Sequence, residues 1–229
     1  MRYYPIYVNL HGKRCLVVGA GQVGRRKIAT LAECGAEEIL VIDLAAAEAC
    51  AELLSHPAVV FACRPYETAD LDGRFLVIAS TDDEALNWRI SRECAERGIP
   101  CNIVDQPEKC SFIVPALFTQ GDLTVAISTG GSSPALARKI RQGLGEFLGS
   151  EYGALLILMS RLRPMVLGLG LGSPANSKLF RELVNSPLLE ALEQADAARA
   201  ETILRDILPA TLHGEAAGLV AGALAHAGA

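Results

Sequence analysis

Gly19, Gly21 and Gly24 stand at GxGxxG spacing in Gly19-Ala20-Gly21-Gln22-Val23-Gly24, directly after the apolar run Cys15-Leu16-Val17-Val18. Glycines so placed serve phosphate recognition. The first allows a tight turn, the second lets the backbone approach a pyrophosphate, and the third lets helix and strand pack closely. The anion would sit on N–H groups at the following helix N-terminus, around Gln22 and Val23, where the macrodipole favours negative charge. Asp43 lies nineteen residues after Gly24 and closes a second apolar run, Ile39 to Ile42. An acid there accepts hydrogen bonds from ribose hydroxyls and repels a 2′-phosphate. Leu44-Ala45-Ala46 offers no arginine to hold such a phosphate, so NAD is expected over NADP.

Further acids and hydroxyls fall at the ends of other apolar runs. Phe75 to Ala79 stops at Ser80-Thr81-Asp82-Asp83, and Cys101 to Val104 stops at Asp105. In a parallel sheet Asp43, Thr81, Asp82 and Asp105 all lie at one edge, where such folds bind ligands. Each has a plainer alternative: Asp82 and Asp83 are ordinary acids for a first helical turn, and Asp105 precedes Gln-Pro-Glu as a turn residue would. A second candidate anion site is Ser128-Thr129-Gly130-Gly131-Ser132, whose glycines can expose successive N–H groups, with Arg138, Lys139 and Arg141 nearby. The alternative there is a solvated helix face after a hinge. His11, His56, His213 and His226 do not cluster, and the cysteines at 15, 34, 50, 63, 94, 101 and 110 form no CxxC pair, so no metal site is expected.

The elements that must position these residues follow from periodicity. Between the first two runs, Val23, Ile28, Leu31, Ala32 and Gly35 keep one helical face small or apolar, with Gly35 placed as the residue just past a helix end. A helix is expected over Ala45 to Leu54, a third strand over Ala58 to Cys63, and a helix with a Leu86–Ile90–Cys94 ridge ending at Gly98. Tyr4-Pro5-Ile6-Tyr7-Val8 reads as an extended segment that covers or joins the sheet edge. Five strands alternating with helices imply a Rossmann-type, doubly wound parallel α/β sheet.

After Asp105 the alternation stops. Ser111 to Phe118 and Leu123 to Ser128, joined at Thr119-Gln120-Gly121-Asp122, predict an antiparallel hairpin with little core of its own, which needs a partner surface. Ser133 as cap and Pro134 at the first position then open a helix bearing Leu136, Ile140, Leu144 and Phe147 on one face. From Ser150 the chain is helical: Tyr152 to Arg161, an interruption at Pro164 and Gly168 to Gly172, then Ser177–Val184, Pro187–Ala195 and Ala198–Ile207. His213 to Ala229 reads as a small-residue tail without a chemical motif. The expected division is a Rossmann domain over 1–112, a hairpin-helix region over 113–149, and a helical domain and tail over 150–229.

Composition narrows the class. A hydrophobic fraction of 51% supports a sizeable core, and a net charge of −5 argues against nucleic-acid binding. The N-terminus lacks the apolar core of a signal peptide and the greasiest stretch, Ala216 to Ala225, is too short to span a bilayer. Scattered cysteines suit small buried hydrophobes in a reducing compartment, so a cytoplasmic protein is expected.

The text YPIYVNL, VVGAGQVGRRK, ASTDDEALN, CNIVDQPEKCSFIVPA and LTVAISTGGSSPALARKIR, in this order and spacing over roughly residues 4 to 148, resembles the precorrin-2 dehydrogenases, including the N-terminal module of siroheme synthase. Past Ser150 only helical character matches. The resemblance implies a subunit with an NAD-binding domain, a dimerisation region made of the hairpin and its helix, and a helical domain beside the active cleft. It implies that NAD accepts hydride from precorrin-2 to give sirohydrochlorin, and that some members insert ferrous iron to make siroheme. The aspartate of the family's N-[IV]-V-D motif falls on Asp105, as general base or metal-approach residue. A flexible polycarboxylate substrate suits the segment from Ser128 to Arg141. The chain's length leaves no room for an appended methyltransferase domain, so the stand-alone form is expected. Two rivals are a non-enzymatic NAD-sensing module, which would not need VDQPEKCSF or TGGSSPALAR, and another NAD enzyme using a His or Lys acid, which no histidine after a strand supports.

Overall fold

A computed structural model describes residues 3–44, 55–104 and 106–227 of the chain. The helix expected over Ala45–Leu54, Cys50, and Asp105 lie outside the described residues. Two compact units emerge, Met1–Val114 and Pro115–Ala229, so the hairpin belongs with the helices of the second.

The first unit is built on β1 (Arg14–Val18), β2 (Glu38–Asp43), β3 (Val59–Cys63), β4 (Leu76–Ala79) and β5 (Cys101–Ile103), with α1 (Gln22–Glu33) and α2 (Glu84–Glu96). All four pairings are parallel and the order is β3-β2-β1-β4-β5, the doubly wound arrangement expected. Alternation along the strands decides the layers. Cys15 and Val17 face one side with Ile28 and Leu31 of α1, while Leu16 and Val18 face the other with Ile90 and Cys94 of α2. A sheet covered on both faces requires near-continuous apolar strands, and β1 and β4 have them. Both helices end in the same way. Ala36 N–H bonds Leu31 O and Gly35 N–H bonds Ala32 O, and the pattern recurs with Ile99 to Cys94 and Gly98 to Ala95.

Register places the strand ends. Val18 pairs with Ile42 and with Ala79, and Ala79 pairs with Ile103. The next residues, Gly19, Asp43, Ser80 and Val104, therefore emerge level at one edge, between β1 and β4 on one side and β2 on the other.

Tyr4 to Val8 does not join that sheet. Its residues form no strand, and Tyr4, Ile6 and Tyr7 are 84%, 68% and 71% exposed. Pro5 lacks the N–H that a ladder needs, and the free edge of β5 is already met by other groups. Cys101 N–H donates to Ser111 Oγ at 2.7 Å, Ser111 N–H donates to Cys101 O at 2.9 Å, and Ile103 N–H donates to Cys110 Sγ at 3.1 Å. These same bonds shorten the hairpin. Its first strand, β6, spans Ala116–Gln120 rather than starting at Ser111, because Ser111 and Phe112 run along β5.

β6 pairs antiparallel with β7 (Leu123–Ile127), and α3 (Pro134–Phe147) follows with the Ser133 side chain accepting from Leu136 N–H. The remaining helices are α4 (Ser150–Gly168), α5 (Ser173–Asn185), α6 (Leu188–Glu193), α7 (Ala197–Ile207) and α8 (Ala216–Ala227). Pro164 does not interrupt α4. Leu158, Leu162 and Val166 are fully buried at four-residue spacing through it, and the carbonyl that loses its partner belongs to exposed Ser160. The tail is likewise structured: Ala216, Leu219, Val220 and Ala223 of α8 join the same core, where small residues allow close approach. No described helix is long and apolar enough to cross a membrane.

Candidate functional site

The level strand ends assemble around the glycine turn. Gly19 takes φ +95°, and a Cβ there would lie 2.6 Å from the Ser80 carbonyl, so the turn tolerates no side chain. A Cβ at Gly24 would overlap the Gly19 carbonyl oxygen and approach Ser80 Oγ to 2.9 Å. Gly21 differs: nothing lies within 4 Å of its added Cβ. It is the N-cap of α1, no side chain caps that helix, and its first turn carries no acid. The α1 N-terminus thus lies beneath open space without a side-chain cap, flanked by two close-packed glycines, with Gln22 exposed and Val23 half-buried. These residues fit a pyrophosphate.

Asp43 is tied to the same turn. Its Oδ2 accepts from Ala20 N–H at 2.5 Å, so the carboxylate that ends β2 is aimed at the glycine loop. Leu44 beside it is exposed.

Across β1, Thr81 and Asp82 follow β4. Asp82 is exposed, and Asp83 is the α2 cap, accepting from Leu86 N–H at 3.0 Å. Thr81 is held by Asn87, a buried amide on α2. Asn87 Oδ1 accepts from Thr81 Oγ1 at 2.8 Å and from Thr81 N–H at 3.2 Å, and Asn87 Nδ2 donates to Thr81 O at 2.8 Å. Ser80 Oγ donates to Gly19 O at 2.8 Å and locks this loop to the glycine turn. From the sequence, Ser80 is only one of four polar residues able to cap the next helix, and Asn87 has no role. The available signal was an amide, Asn87, one turn before Ile90 on the helix face that carries Ile90, Ser91 and Cys94 inward.

The segment that leaves β5 toward Asp105 returns under side-chain control. Cys110 Sγ lies 3.1 Å from Ile103 O and 3.2 Å from Gln106 O, Ser91 Oγ donates to Lys109 O at 2.9 Å, and the Lys109 ammonium sits 5.0 Å over Trp88. Burial raises the Cys110 thiol above its ordinary range. Lys27 of α1 is pushed below the ordinary lysine range, chiefly by burial.

Ser128, Thr129, Gly130, Gly131, Ser132 and Arg138 belong to the second unit, around the start of α3. Its turn is knit by its own hydroxyls: Gly130 N–H donates to Ser128 Oγ, and Ser133 N–H to Thr129 Oγ1, both at 3.1 Å. Arg138 is exposed one turn into the helix. Among the described residues no cluster of three or more His, Cys, Asp or Glu could hold a metal ion.

Comparison with known proteins places this arrangement. Residues 6–116 match the model of a family described as "Putative NAD(P)-binding", and residues 120–145 match that of a sirohaem biosynthesis protein central region. The chain is 39% identical over 201 residues to siroheme synthase of Thioalkalivibrio sulfidiphilus, covering 87% of this chain and 41% of that protein. It is 38% identical over 216 residues to siroheme synthase of Pseudomonas fluorescens, covering 94% and 46%. The chain therefore spans less than half the length of these relatives. Among solved structures, that of SirC, a precorrin-2 dehydrogenase, aligns with a TM-score of 0.71 at 22% identity, over 90% of this chain and 98% of that one, which establishes a shared fold. The chain thus carries, in order, a match to an NAD(P)-binding family model and a match to a sirohaem biosynthesis central region, and along most of its own length it is similar to siroheme synthases.

Proposed function

We propose that the chain oxidises precorrin-2 to sirohydrochlorin with NAD as hydride acceptor. The observation that carries this reading is the open Gly21 N-cap between close-packed Gly19 and Gly24, within a chain similar to siroheme synthases. The reaction removes two hydrogens from the substrate, one as hydride and one as a proton. The bound cofactor supplies the hydride acceptor. The chain's own residues hold and orient it: the α1 N-terminus takes the pyrophosphate and Asp43 a ribose. Thr81 and Asp82 face its other half. Asp105, two residues beyond β5, serves as the base that takes the proton. Ser128 to Ser132 and Arg138 meet substrate carboxylates, for which guanidinium and hydroxyl donors are suited. NAD is favoured over NADP because a 2′-phosphate would approach the Asp43 carboxylate beside apolar Leu44.

The second unit supports a homodimer. Leu136, Ile140 and Phe147 of α3 are exposed, and β6 and α3 flank a groove lined by Leu117, Phe118, Arg141 and Glu146, a surface that a second copy would cover. A cytoplasmic location fits the free cysteines, of which Cys15, Cys94 and Cys101 are buried.

The test is turnover of precorrin-2 by the purified protein with NAD or NADP, read by absorbance of the oxidised product. NAD should be the better acceptor. Asp105→Asn should lower the rate about 10²–10⁴-fold while NAD affinity stays unchanged. NAD binding without turnover by the unmodified protein would identify a sensing module instead. Added ferrous iron tests whether the product is also metallated, and loss of that step alone in Asp105→Asn would make the residue a metal-approach group.

A further inference from the structure

We infer that Asn87 is a positioning residue for the nicotinamide half of the cofactor, acting through Thr81; this rests on the cofactor reading above. Asn87 is 4% exposed, the most buried polar residue among those described, and its three side-chain hydrogen bonds all end on Thr81. A buried amide is unfavourable unless its donors and acceptors are used, and an apolar residue would fill the same helical position between Leu86 and Ile90 more simply. Helix capping does not account for it, because Asp83 already caps α2.

Thr81 is the residue whose placement the cofactor would feel. A Cβ at Gly19 would lie 2.8 Å from Thr81 N, so Thr81 packs directly against the glycine turn. Position within the sheet then assigns the half. Asp43 ends β2, on one side of β1, and takes the adenosine ribose. β4 lies on the other side of β1, so the residues at its end face the second half of the dinucleotide.

The experiment compares two probes, NAD and ADP-ribose, which share everything except the nicotinamide. Binding is measured by calorimetry on the unmodified chain, Asn87→Asp and Asn87→Ser. Asn87→Asp keeps an acceptor for Thr81 N–H and Oγ1 but sets a carboxylate against the Thr81 carbonyl. Both variants should weaken NAD about tenfold and leave ADP-ribose within about twofold. In turnover, kcat should fall along with the rise in KM for NAD, because a displaced nicotinamide reacts poorly. Equal weakening of the two probes, or none, overturns the inference. In the unmodified protein, NAD should slow amide exchange over Ser80–Asp83 more than ADP-ribose does, and equal protection overturns it even where a variant fails to fold. Failure of the unmodified chain to bind either probe overturns the cofactor reading itself, and this inference with it.

Discussion

The two units bury different kinds of residue. The interior of Met1–Val114 contains Asp70, Asn87, Ser91 and Asn102, whereas the buried side chains described in Pro115–Ala229 are leucine, alanine and valine throughout. Each buried polar group of the first unit fastens a loop. Asp70 binds Arg64 and the Glu67 N–H, Asn87 binds Thr81, Ser91 binds Lys109 O, and Asn102 binds Phe112 O. Apolar packing defines volume but not direction. Hydrogen bonds define direction, and a loop that must meet a ligand to within a few tenths of an ångström needs them. The α/β unit is therefore organised around its loops and the helical unit around its core.

Three experiments test that contrast. The largest effect is expected from Leu158→Ala, which empties a fully buried site in the helical core and should cost about 2–5 kcal/mol. Trp88, the single tryptophan, lies on α2 and reports the first unit, while far-UV circular dichroism reports mainly the helices. Urea unfolding should then show the dichroism transition shifted and the fluorescence transition in place. If both move together, the units unfold as one and their separate organisation is wrong.

A smaller effect separates the glycines of the turn. Gly24→Ala must displace the Gly19 carbonyl and should cost about 1–3 kcal/mol, visible in the Trp88 transition, as well as weakening NAD. Gly21→Ala meets no atom, so its stability change should stay within about 0.5 kcal/mol while NAD binding is lost. Equal stability losses in the two variants would mean that the space above Gly21 is not open, and unchanged NAD affinity in Gly21→Ala would mean that it is not a ligand's.

The smallest effect concerns the far end of the sheet. Arg74, with a side chain 7% exposed, bonds Glu38, and that hydrogen bond is the chief reason the Glu38 carboxyl titrates below its ordinary value of 4.5. A depressed carboxylate contributes stability that is present above the unfolded-state value and is lost as pH falls through the lower folded value. Glu38→Gln should therefore flatten the loss of stability below pH 4.5 and change it less near neutrality. Because Glu38 is about one-third exposed, solvent screening keeps the effect modest. An unchanged acid limb of the Trp88 transition would show that the pair contributes nothing.

How much was legible in the sequence follows from how far apart the interacting residues are. The β1–turn–α1–β2 unit, the helix end at Gly35, and the Ser133–Pro134 helix start were readable because caps, turns and apolar periodicity act within a few residues. Pro164 misled, because the local rule against proline in a helix is outweighed by the burial of Leu162 and Val166 on either side of it. Alanine-rich α8 carried no amphipathic signal and became a helix by packing into a core formed elsewhere. The hairpin boundary failed for a similar reason, since Ser111 and Phe112 are claimed by β5, ten residues away in sequence.

The residues from Cys15 to Asp43 were enough to place a glycine turn, the strand that feeds it, the helix it opens and the acid that closes the next strand. All of these are contacts along a short stretch of chain. Only the tertiary structure decided that β4 lies beside β1, so that Ser80 closes on Gly19 across a gap of 61 residues, and that Asn87 turns inward to hold Thr81. Such bonds depend on the register of parallel strands joined by crossovers, and register is set by the packing of the whole sheet rather than by any residue's neighbours.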